Sequence, residues 1–199
     1  MTNNTRTLPF VLLASAIFAG SAEVAVQQVK SAGPPMPYED VGACPFEGCV
    51  YRDWIANDRV TVRTERRADS PIAFTLEKGE PVRAITGIVV TLKPGRVQFR
   101  HAVDLTSSAG RLHVEPGDTL YLLTYHGEGA TSAWFKGRLY DEVDGSEFIN
   151  AQCDVQLGSC NGTIVEKLQK VWWVRVMKRN RLTGWTNEAE KFDNKDLFG

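Results

Sequence analysis

Apolar and polar positions alternate with a period of two along much of this chain. Val60 and Val62 are separated by Thr61 and followed by Arg63; Phe74 and Leu76 flank Thr75; Val97 and Phe99 flank Gln98. Successive side chains of a strand point to opposite faces, so this pattern predicts strands with one face on a core and one in water. Ile88-Val89-Val90 and Leu120-Tyr121-Leu122-Leu123 are short apolar runs, as expected of strands covered on both faces. Turn-forming pairs separate the runs: Lys78-Gly79, Pro94-Gly95, Pro116-Gly117, Gly127-Glu128-Gly129 and Asp144-Gly145. Helical periodicity is nearly absent, with two turns predicted over Ile164 to Lys170 and one over Asn187 to Phe192. Short strands at this spacing predict an all-β protein built from small barrels or a sandwich.

The pattern also repeats. Phe74 to Thr86 lies over Leu112 to Thr124 at a constant offset of 38 residues, with Glu77, Gly79 and Thr86 matched by Glu115, Gly117 and Thr124. In physical terms the unit is a strand, a tight acidic-Gly turn and a second strand, used twice.

Leu76-Glu77-Lys78-Gly79-Glu80-Pro81-Val82 resembles the strand-turn-strand of bacterial SH3-like domains. Trp172-Trp173-Val174-Arg175-Val176, followed by Gly184-Trp185-Thr186, resembles their closing hairpin. The resemblance implies two small SH3-like barrels that bind peptides or cell-wall material without catalysis. A single larger barrel or sandwich is the other arrangement the pattern allows. The expected organisation is a first module over 44–108 and a second over 109–199, the latter carrying a cysteine-containing insertion at about 141–170. The first module then has no Gly-Trp closure of its own. In the last turn Asn180-Arg181 replaces the usual glycine, and asparagine tolerates the positive φ that such a turn needs.

Composition narrows the function classes. The chain has 199 residues, is 43% hydrophobic and carries a net charge of −1, which fits a globular protein and argues against a nucleic-acid binder. Residues 1–22 read as a secretory signal peptide: Arg6, the apolar stretch Leu8 to Ala19, then the small residues Gly20-Ser21-Ala22. A Pro- and Gly-containing lead segment, 23–43, follows. Removal of the signal would leave a protein without stable membrane insertion, in the bacterial periplasm or outside the cell. An even number of cysteines in an oxidising compartment favours disulfides, and Cys44–Cys49 and Cys153–Cys160 each close a short loop. The spacings are not those of the usual zinc knuckles.

The candidate chemistry is aromatic. On the strand Trp172 to Met177, the face of Trp172, Val174 and Val176 is the more apolar and is assigned to the interior. Trp173 and Arg175 fall on the other face, where Trp173 could serve as a platform for a sugar ring or a proline. Tyr125, beside the Gly-rich hairpin, is the second candidate for a groove edge. Expected partners are peptidoglycan or an envelope protein, and no cofactor is implied. His101 and His113 with Asp104 are a minor metal possibility. A cysteine enzyme using Cys160, near His126, is the catalytic alternative, and an inhibitor or accessory subunit of an envelope enzyme is another. Arg59, Arg63, Arg66 and Arg67 form a basic cluster expected to meet the acidic cluster Asp141, Glu142 and Asp144.

Overall fold

The alternating segments become strands in the computed structural model, which describes residues 1–2, 33–149 and 159–197. The expected signal peptide lies almost wholly outside the described residues, and so does Cys153. Fifteen strands form among the described residues: β1 (Tyr38–Val41), β2 (Asp53–Ala56), β3 (Val60–Arg63), β4 (Ile72–Leu76), β5 (Pro81–Lys93), β6 (Gly95–Phe99), β7 (Val103–Ser107), β8 (Gly110–Val114), β9 (Thr119–Gly127), β10 (Ala130–Phe135), β11 (Arg138–Asp144), β12 (Gly162–Glu166), β13 (Gln169–Met177), β14 (Thr183–Thr186) and β15 (Phe192–Asp193). One 3-10 turn, Ala189–Lys191, precedes the last strand. The protein is all-β.

Two main sheets share the work. The first has the order β15-β2-β5-β13-β14-β3-β4, with β1 added beside the second half of β5. It encloses a core of Trp54, Val60, Val62, Leu76, Val174 and Phe192. The second has the order β11-β10-β9-β6-β12 and, with the separate pair β7-β8, encloses Val97, Leu105, Leu120, Phe135 and Phe148.

The cores do not divide the chain at 108/109. The first draws on 54–84 and 174–192, the second on 97–148. The cause is the pairing of β13 with β5, from Gln169 opposite Lys93 to Met177 opposite Arg83. The Trp172 to Trp185 hairpin thus closes the first sheet, and Gly184-Trp185 is the closure expected to be missing there. Residues 95–166 are an insertion between two paired strands. Both crossings between the sheets run through one neck, where Glu166 binds Lys93 at 3.1 Å and Arg96 at 2.7 Å. Gly95 belongs to this neck: a Cβ there would stand 3.2 Å from Leu122 and 3.3 Å from the Leu168 nitrogen.

Two expectations are corrected here. The segment 164–170 is not helical but supplies the end of β12 and the start of β13. The β-branched run Thr163-Ile164-Val165 suits an extended backbone, and Thr163 and Ile164 stand opposite Gln98 and Val97. The stretch 141–170 is accordingly no simple insertion into a barrel, since it contributes strands to both sheets.

The repeat has a structural counterpart at its turn. Glu77 N–H donates to the Glu80 carboxylate at 2.7 Å, and Glu115 N–H donates to the Asp118 carboxylate at 2.9 Å. Glu80 N–H and Asp118 N–H each return a 3.0 Å bond to the carbonyls of Glu77 and Glu115. Gly79 and Gly117 have φ of 87° and 89°. Neither unit is a hairpin: β4 pairs with β3 and β8 with β7, so each turn is a corner between different strand neighbours. In the last turn the positive φ falls on Arg181, at 65°, while Asn180 acts through its side chain, accepting from Leu182 N–H at 3.3 Å.

A Cβ on Gly79 or Gly117 meets nothing within 4 Å, so alanine there pays only for its left-handed backbone. Gly79→Ala and Gly117→Ala should each lower unfolding free energy by about 1–2 kcal/mol. Trp54→Ala, in the first core, should lower it by about 3–5 kcal/mol. Urea unfolding followed by circular dichroism checks both.

Candidate binding site

Strand β13 sends its two adjacent tryptophans to opposite faces. Trp172 faces inward, where it packs on the first core with its ring 6.0 Å from Trp54 and edge-on to Phe46 at 5.9 Å. Its indole N–H donates to the Tyr51 hydroxyl at 3.2 Å, and that hydroxyl donates to the Ala43 carbonyl. Gly87 makes this possible, because any side chain there would overlap both Tyr51 and Trp172. Burial pushes the Tyr51 phenol up to about 12. Trp172 nonetheless remains only half-buried, at the rim of the core.

Trp173 faces the other way and is not the exposed platform expected: it is 7% exposed. It stands opposite Ile88 of β5, whose neighbour on the other side in the sheet is Val41 of β1. The loop between β3 and β4 bends over the same face. What remains open is a cleft of about 530 Å³ floored by Trp173, Trp185, Val90 and Val171, with Arg66 and Glu65 on its rim. Arg66 lies 5.7 Å above the Trp185 ring and pairs with Glu39 at 3.0 Å. Leu92 lines the cleft and is 56% exposed.

Tyr125 does not join this cleft. It stands on β9 in the second sheet, half-buried, with its hydroxyl accepting from Gly129 N–H at 3.3 Å, so it braces the hairpin. Arg175 is exposed and stands opposite Trp185 in the ladder. The basic cluster does not meet Asp141, Glu142 and Asp144. Arg59 pairs with Glu77, Arg67 with Glu65, and Arg63 donates to the Ser70 carbonyl at 2.7 Å, all within the first sheet's own loops.

Two of the three histidines are engaged in hydrogen bonds. His113 places Nδ1 2.6 Å from Asp104 and Nε2 2.9 Å from Glu115, and these bonds hold its pKa above the usual histidine value. His101 is exposed. Among the described residues, no three His, Cys, Asp or Glu side chains are grouped to hold a metal ion. His126 Nε2 lies 2.9 Å from Ser132 Oγ and 3.4 Å from Asp40, and Ser132 donates to Asp141 at 2.9 Å. Ser132 is 1% exposed and already donates its proton to a carboxylate. This chain therefore ties β1 to the second sheet and does not present a nucleophile. Burial, with Asp40 and Asp141 nearby, raises the pKa of Tyr38 beside it.

Cysteine chemistry is structural as well. Cys44 and Cys49 are joined. Cys160 is disulfide-bonded and 5% exposed, so it offers no thiolate to attack a substrate. Parity along β13 separated the tryptophans correctly into two faces. It could not reveal that both faces are partly covered, nor that Arg66 and Trp185 meet across the sheet. The chain matches no protein-family model, no curated protein and no solved structure.

Tyr51 gives a pH test. Its folded pKa stands above the ordinary 10.0, so its stabilisation is complete below about pH 10 and is lost as pH rises toward 12. The stability difference between the wild type and Tyr51→Phe should shrink across that window. Thermal unfolding at a series of alkaline pH values measures it.

Proposed function

We propose that this protein is a non-catalytic binding module of the bacterial cell envelope, recognising peptidoglycan or a protein or peptide partner. The observation that carries this reading is the open cleft floored by Trp173 and Trp185. Large flat rings give contact area at little entropic cost, and they suit sugar rings and prolines. The rim carries both signs, Arg66 and Arg67 with Glu39 and Glu65, which suits a ligand bearing both carboxylates and amines. The cover over Trp185 is light: an exposed ion pair and a cation–ring contact are each worth about 1 kcal/mol or less. A ligand can displace Arg66 at small cost.

Two further observations support the reading. The Leu76 to Val82 turn and the Trp-containing hairpin, on which the SH3-like resemblance rests, belong to one sheet, because β13 pairs with β5 and β14 with β13. Disulfide-bonded cysteines fit an exported protein, since oxidised pairs persist outside the cytosol.

Co-sedimentation with purified cell-wall sacculi tests the proposal. The wild type should pellet with them, and Trp185→Ala should lose at least about ten-fold in affinity, the ~1.4 kcal/mol expected of one lost aromatic contact. Arg66→Ala should keep its fold and bind at least as well. A protein that stays in the supernatant removes the wall polymer as ligand. Release of soluble wall fragments would overturn the non-catalytic assignment.

A further inference from the structure

Strand β13 is longer than its partner on one side. It pairs with β5 from Gln169 to Met177, but with β14 only from Val174 to Met177. Asn187 and the 3-10 turn then lead the chain away. Among the described residues, no strand lies beside the second edge of β13 over 169–173, and no backbone bond of these residues outside the β5 ladder appears. Five residues of strand span about 17 Å, a usual length for pairing.

This edge lies between two clefts. The Trp173–Trp185 cleft opens on one face. On the other, a cleft of about 550 Å³ is bounded by Trp172, Phe46, Lys170 and Lys195, with Glu190 beside them; Val171 lines both. The second cleft is rigid. Cys44–Cys49 staples the loop that carries Phe46, and Trp172 is held through Tyr51. Lys195 is occupied, donating to the carbonyls of Ala189 at 2.9 Å and Glu190 at 3.3 Å. The Lys170 ammonium makes no hydrogen bond or ion pair among the described residues, and partial burial alone lowers its pKa. A lysine on an edge commonly guards it against unwanted pairing. The same charge is complementary to a carboxylate on an incoming strand.

We propose that an extended, acidic peptide segment of a partner protein docks as an added strand along residues 169–173 of β13. Its backbone pairs with the open edge, and its alternate side chains enter the two clefts. Apolar residues go to the Trp173–Trp185 side and carboxylates to the Trp172–Lys170 side. This rests on the reading of the protein as a binding module, not on the wall polymer as its ligand.

The probe is an acetylated, amidated peptide of alternating sequence Thr-Glu-Val-Glu-Val-Glu-Thr, followed by tryptophan fluorescence and amide hydrogen exchange on the full chain. It should bind and protect amides within 169–173. Replacing its glutamates by lysines should weaken binding at least ten-fold, and Lys170→Glu should reverse that preference. N-methylation of alternate peptide amides, in the two possible phases, should abolish binding in one phase. The proposal is overturned by a folded protein that does not bind the acidic peptide, or by binding without protection at 169–173. It is equally overturned if Lys170→Glu leaves the charge preference unchanged, or if neither methylated phase loses affinity. Retained pelleting with sacculi alongside any of these results leaves the binding-module reading standing and removes only the added strand.

Discussion

The pairing of β5 with β13 is the constraint on which the rest of the molecule depends. It brings together segments about eighty residues apart and closes the first sheet around Trp54 and Val174. It continues past the neck into the pairing of β6 with β12, so the second sheet grows from the same ribbon. Closing so long a loop costs entropy that grows only slowly with its length. The β-branched and aromatic side chains along both strands offset that cost by burial. Lys93, Arg96 and Glu166 fix where the ribbon turns from one sheet into the other.

Strand positions were legible in the sequence because their signals are local. Val60 and Val62, or Val97 and Phe99, announce a buried face within a few residues, and Gly79 and Gly117 mark turns that need a left-handed backbone. The repeat could be read down to its acidic turn, since Glu77 with Glu80 and Glu115 with Asp118 make the same bonds. The pairing of strands was not legible. Nothing near Trp172 says that its neighbour is Val89 and not a strand closer in sequence. Local signals therefore suggest modules in sequence order, while the chain folds with one sheet inserted in the other. The helix expected over 164–170 failed for a related reason: tertiary pairing of Ile164 with Val97 decides the backbone there, not the local period.

The candidate site shows the same division. Alternation placed Trp172 and Trp173 on different faces, as they are. Which face stays open depends on β1, the β3–β4 loop and the stapled loop at Cys44–Cys49, all brought in from elsewhere. Trp173 ends as a floor and Trp172 as a rim. Tyr125 does sit beside a Gly-rich hairpin, but its hydroxyl is spent on Gly129. Cys160, the side chain that suggested catalysis, is held in a disulfide.

The neck has a mechanical consequence. Both ends of the inserted sheet re-enter the first sheet side by side, clamped by Glu166. A pull applied between Tyr38 and Asp196 is transmitted through β1, β5, β2 and the Cys49–Asp196 bridge. The inserted sheet is fastened to that path beyond the neck as well, because His126 meets Asp40 of β1 at 3.4 Å and Thr91 of β5 donates to the Leu123 carbonyl at 2.6 Å. Tension on β1 therefore reaches both sheets at once.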